Sequence, residues 1–158
     1  MRTALKIGFS FGLTSGVITT LGLMVGLHAG THSKSVVLGG LLTIAVADAM
    51  SDALGIHIAE ESKNHGNTNE IWESTLATFA AKFVIAATFA VPVLFMPLDL
   101  AVAASLVWGL SLLAVLSYAL ARAQRVSPWK VLGEHVVIGL CVVAITHYLG
   151  DWVRVTFG

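Results

Sequence analysis

Charge is what this sequence has least of. Only 11% of its 158 residues are Asp, Glu, Lys or Arg, where a soluble domain carries about a quarter. Hydrophobic residues make up 56%, and the mean hydropathy is +0.85. That shortage excludes an ordinary water-soluble domain and marks a multi-pass integral membrane protein, of the cell membrane if the source is prokaryotic. Acidic and basic residues balance to a net charge of zero, so no basic face invites nucleic acid. Cysteine is nearly absent. Cys141 stands alone, which excludes an internal disulfide, and its apolar run reads as the setting of a small buried hydrophobe. The four tryptophans lie mostly towards the expected helix ends, as interfacial anchors do, rather than where they would line a path for an organic solute.

What is present is length of apolar run. Spanning a bilayer takes about 20 apolar residues, and five segments meet that, at about 7–29, 36–59, 75–96, 98–121 and 131–153. They predict one all-α domain covering 1–158, a bundle of five transmembrane helices. Arg2 and Lys6 precede the first run as in a leader peptide, but Ile7 to about Ala29 is too long for one and has no A-x-A site. A retained first helix is the expectation. Polar breaks separate the runs: Gly30 to Lys34, the KNHGNTN stretch at 63–69, Met96-Pro97-Leu98-Asp99, and Arg122 to Lys130 with Pro128. With the N-terminus in the cytoplasm, the inner side collects Arg2, Lys6, Lys63, Arg122, Arg125 and Lys130, against Lys34 and Arg154 outside. The positive-inside rule favours that orientation.

The first helix carries two glycine rows at four-residue spacing, Gly8, Gly12, Gly16 and Gly22, Gly26, Gly30. Small residues at this spacing let helix backbones approach closely. They serve either packing within the bundle or a dimer seam along helix one. Ser10, Thr14, Ser15, Thr19 and Thr20 add hydroxyls that bond their own helix carbonyls or line a polar path.

The second helix carries the chemistry, in DAMSDALGIHIAEES at 48–62. Asp48 and Asp52 are four apart and share a face. Asp48 lies about 18 Å along the helix from Val36 at 1.5 Å per residue, near mid-membrane. An unpaired aspartate there costs roughly 2.5–3.5 kcal/mol, so such residues turn inward, pair, and mark ion or proton paths. Met50, His57 and Glu61 form a second stripe. His57 and Glu60 have the i,i+3 spacing that lets imidazole and carboxylate share a metal. Lys82 in helix three is the natural counter-charge for an intramembrane aspartate. Glu70 and Glu73 extend an acidic rim with Glu60 and Glu61. Helix five opens on Glu134-His135 and closes on His147 and Asp151, a proton or ion-pair position or an end cap. His28 and His32 straddle a turn and make a weak site. Carboxylates and imidazoles without thiolates suit Fe²⁺, Mn²⁺ or Zn²⁺. The expected metal ligands are therefore Asp48, Asp52, His57, Glu60, Glu61, Glu73, Glu134 and His135, with Lys82, His147 and Asp151 as proton or ion-pair groups and no organic cofactor.

Gly16-Val-Ile-Thr-Thr-Leu-Gly-Leu23 resembles the G-L-V-T-T-L-G-L stretch of the vacuolar iron transporter family, and Ala49-Met-Ser-Asp-Ala-Leu-Gly55 resembles its A-L-S-M-A-L-G-E-Y, whose G-E-Y reads Gly55-Ile56-His57 here, without the glutamate and with a histidine at the aromatic position. The resemblance implies a homodimer in a lipid bilayer that exchanges Fe²⁺ or Mn²⁺ for protons. The family's first-helix N-D-G reads Thr14-Ser15-Gly16 here, and its second-helix S-M reads Ser51-Asp52. An acidic group has thus moved from helix one to helix two, as in a divergent branch. The segment at 60–74 is too short for the metal-binding insert of some members. Two other readings compete with metal transport. One is an intramembrane metalloenzyme centred on His57, Glu60, Glu134 and His135, for which paired E-x-x-H motifs are missing. The other is a membrane scaffold whose ion pairs serve packing alone.

Overall fold

The computed structural model describes residues 3–63 and 67–158. Arg2 and residues 64–66 of the expected polar loop lie outside them. Five helices follow one another: α1 (Thr3–Thr31), α2 (Lys34–Glu61), α3 (Thr68–Phe95), α4 (Leu98–Gln124) and α5 (Pro128–Phe157). All five are long and apolar enough to cross a membrane. The sequence places each helix but starts α3 seven residues late, at 75 rather than Thr68. Its first two turns are polar, so a search for apolar runs misses them. They are helical because the Asn67 side chain accepts from the Asn69 N–H at 3.3 Å and Glu70 lies where the helix dipole favours an acid.

The connections are short and capped. Between α1 and α2, His32 takes a left-handed φ of 48°, and Ser33 accepts from the Val36 N–H as the N-cap of α2. Lys34 then reaches across to the end of α3, donating to the carbonyls of Leu94 at 3.2 Å and Met96 at 3.1 Å. Those are carbonyls a helix end leaves without internal partners. At the end of α4, Arg125 adopts φ 59° and the Val126 N–H returns to the Ala121 carbonyl at 3.1 Å, a Schellman-type stop before Pro128 opens α5.

α1 is the central post. It packs against all four other helices, and α2, α3, α4 and α5 follow around it, each against the next. Among the described residues α2 and α5 share no such packed contact, so α1 is left uncovered between them. Val17, Leu21, Met24, Leu41, Phe89 and Leu113 fill the core. Both glycine rows of α1 are used inside the bundle. A Cβ at Gly12 would lie 2.6 Å from the Thr78 carbonyl oxygen of α3, and one at Gly22 would lie 2.7 Å from Val142 Cγ1 of α5. The packing alternative accounts for these rows, and a seam along α1 is not needed to explain them.

α5 is the most exposed element, with 6% of its most apolar window buried. Cys141 lies on it and is exposed, which corrects the expectation of a buried thiol. In a membrane protein the outer face is as apolar as the core, so an apolar run does not say which way a small residue points.

Candidate functional site

The middle of the bundle holds one charged cluster. Asp48 and Lys82 each stand fifteenth in helices of 28 residues. Their helices meet closely because the neighbours of the aspartates are small: Ala45, Ala49 and Ala53 form the buried edge of α2. Lys82 is 1% exposed and the largest fully buried side chain among the described residues. Its Nζ donates to Asp52 Oδ2 and to Ser15 Oγ at 3.0 Å, and lies 2.6 Å from Asp48 Oδ2. Ser15 in turn donates to Asp52 Oδ2 at 2.7 Å.

The two carboxylates are held differently. Asp52 accepts from both Lys82 and Ser15. Asp48 has the ion-pair contact, but its Oδ2 has no hydrogen bond of good geometry. Their side chains are 26% and 21% exposed, so the cluster is sealed on the Lys82 side and partly open on the α2 side. With both carboxylates ionised and the amine protonated, one negative charge is in excess. In a low-dielectric surround an uncompensated charge is costly, and one further cation or proton balances it.

The expected pairing of Lys82 with an aspartate is what the structure contains, with both acids engaged. The role of Ser15 was not legible as a contact, because nothing in the sequence says which hydroxyl of α1 faces α2. The Ser15 hydroxyl touches the acid on helix two, so positions 15 and 52 face the same point.

The remaining expected ligands are dispersed. His57 Nδ1 is 3.0 Å from Thr75 Oγ1. That hydroxyl donates to the Ile71 carbonyl, so the imidazole N–H is the donor between them. Trp72 packs edge-on against the same ring at 4.9 Å, and the three line a cavity of about 390 Å³ between α2 and α3. Glu60 pairs with Lys63 at 2.5 Å rather than sharing a partner with His57. Glu61, Glu70 and Glu134 are exposed, and Glu73 is half-buried in α3. His135 Nδ1 contacts Ser117 Oγ of α4 at 2.8 Å. His147 is exposed and packs on Tyr148. Asp151 pairs with Arg154, one turn along the same helix, rather than with His147. His28 bonds Asp99 at 2.8 Å, with the His32 ring 5.2 Å away. Among the described residues no three His, Cys, Asp or Glu side chains stand close enough to hold one metal ion. The i,i+3 spacing of His57 and Glu60 permitted a shared ion, but each side chain finds its own partner first.

A groove of about 570 Å³ follows the uncovered side of α1, between α2 and α5. It runs from Thr31 and Val153 at the bundle end to Thr19 and Ile44. Those two residues lie one helical turn from Ser15 and Asp48. No protein-family model matches this chain, and no curated protein does.

Proposed function

We propose that this protein is a membrane transporter that exchanges a divalent metal ion, Fe²⁺ or Mn²⁺ by class, for protons, with Asp48 and Asp52 as the ion site. The observation that carries this reading is the Lys82–Asp48–Asp52 cluster at the middle of two membrane-length helices, where two carboxylates share one amine. Ion pairs that serve packing alone are best matched one to one and closed. Here two acids share one amine and are partly exposed, and intramembrane acids of that kind mark ion and proton routes. The metal class rests on the donor chemistry and on the resemblance of 16–23 and 49–55 to the vacuolar iron transporters.

Two carboxylates and a hydroxyl do not complete a coordination shell, so water or a second chain supplies the rest. The reading therefore includes a homodimer with its N-termini in the cytoplasm. The second copy would cover the open side of α1, beside a row of exposed small residues on α2: Gly39, Thr43, Ala47, Ser51, Gly55 and Ala59. Among the described residues, nothing lies within 4 Å of a Cβ added at Gly39 or Gly55, which leaves room for another helix.

Uptake of Mn²⁺ and Fe²⁺ into proteoliposomes under an imposed pH gradient tests the function. Metal flux that follows the gradient, with counterflow of protons, is the expected result. Absence of both from a folded, correctly reconstituted protein overturns it.

A further inference from the structure

Lys82 occupies the position of a bound cation. Its ammonium is out of solvent, with Asp52 and Ser15 as hydrogen-bond acceptors and Asp48 as a close ion partner. A substrate cation can hold both aspartates only by displacing this ammonium. We propose that Lys82 is the specificity-determining residue of the site, a tethered cation that an incoming divalent ion must displace from between Asp48 and Asp52 and that turns monovalent ions away. This rests on the transport reading and deepens it.

The selectivity follows from charge and tethering. A monovalent ion brings the two carboxylates no more charge than the ammonium it replaces. It also competes from solution against a group held in place by its own chain, at a high effective concentration. A divalent ion doubles the charge delivered and balances both carboxylates at once. The asymmetry of the acids shows where exchange begins. Asp48 is held by ion-pair contact alone, whereas Asp52 is fixed by two donors. An arriving ion takes Asp48 first and Asp52 as the ammonium withdraws. The stem of Lys82 lies against Gly16, where an added Cβ would stand 3.3 Å from Lys82 Cγ. The missing methyl leaves the alkyl chain space to change rotamer.

The test compares Lys82→Arg and Lys82→Gln with the wild type in purified full-length protein. Mn²⁺ binding is measured by calorimetry, with Na⁺ and methylammonium as competitors, and thermal unfolding is followed in parallel. Glutamine removes the resident cation, so Mn²⁺ is expected to bind about tenfold more tightly, as when any competing state is removed, and Na⁺ begins to compete. Arginine keeps the charge and grips carboxylates with a planar fork, so Mn²⁺ is expected to bind about tenfold more weakly while the fold is retained. A lysine that is only a strut gives the reverse order: arginine behaves as wild type, and glutamine loses binding together with stability. Wild-type Mn²⁺ affinity in Lys82→Arg, or no gain in a folded Lys82→Gln, overturns the proposal. If Lys82→Gln does not fold, Lys82→Arg alone decides. A wild type that binds no Mn²⁺ removes the transport reading and this inference with it, whereas wild-type binding with the wrong order of variants removes only the inference.

Discussion

At the scale of single residues, the site separates charge from geometry. Asp52→Asn keeps the shape of the side chain and can still accept from Ser15, but it removes the carboxylate that Lys82 and Ser15 both bind. Metal-driven flux is expected to fall by about 100-fold, the upper range for loss of a metal-supporting group, with the helical content unchanged by circular dichroism. Wild-type flux from the folded variant would remove Asp52 from the path. Ser15→Ala is the gentler case. The carboxylate stays, but it loses one of its two donors and the proposed ion loses the hydroxyl that stands with the two carboxylates. A drop of about tenfold in Mn²⁺ affinity is expected, and calorimetry on the purified variant measures it. His57→Ala gives the contrast. Its imidazole is engaged with Thr75 and Trp72, outside the cluster, so its loss should weaken the α2–α3 contact more than it weakens Mn²⁺ binding.

At the scale of elements, the glycines of α1 and α2 do opposite work. Gly12→Leu drives a side chain into the backbone of α3, where even a Cβ would lie 2.6 Å from the Thr78 carbonyl oxygen. Overpacking of this kind costs about 1–3 kcal/mol, and a lower melting temperature of the monomer is expected. Gly55→Leu on α2 adds a Cβ with no described atom within 4 Å. It should leave the monomer's stability alone and weaken the proposed dimer, read as a change in mass by light scattering in detergent. Equal effects from both variants would argue against the α2 face. The reason these roles were not legible in advance is physical. Small residues every four positions announce close approach, but a sequence does not say whether the approaching helix belongs to the same chain. The five helices were legible because length and hydropathy suffice to find them. The pairing of Lys82 with the aspartates was legible because an isolated charge at that depth is too costly to leave alone. The separation of His57 from Glu60, and of His147 from Asp151, was not. Residues three or four apart on a helix are neighbours, yet Lys63 and Arg154 were equally close and carry the opposite charge.

At the scale of the whole molecule, the open flank of α1 organises the expectations. A five-helix bundle that crosses a membrane has its two ends on opposite sides, and the proposed orientation puts the more basic end in the cytoplasm. Lys63, Arg122, Arg125 and Lys130 fall at one end, and Lys34, Asp99 and Arg154 at the other. Cysteine at position 99 should react with a membrane-impermeant maleimide in intact cells, and cysteine at position 125 only after permeabilisation. The reverse pattern would invert the orientation. In the proposed dimer, cysteines placed at Gly39 or Ala47 should crosslink between chains, whereas positions facing α3 should not. The exposed thiol of α5 has a practical corollary for such work. Cys141 is the chain's one cysteine, and it stands on an outward face far in sequence from the ionic cluster on α2 and α3. The unmodified protein therefore takes a single spin label without a cysteine-free background. In a twofold assembly, two such labels report one distance by pulsed electron resonance, a ruler laid across the pair that leaves Asp48, Asp52 and Lys82 untouched.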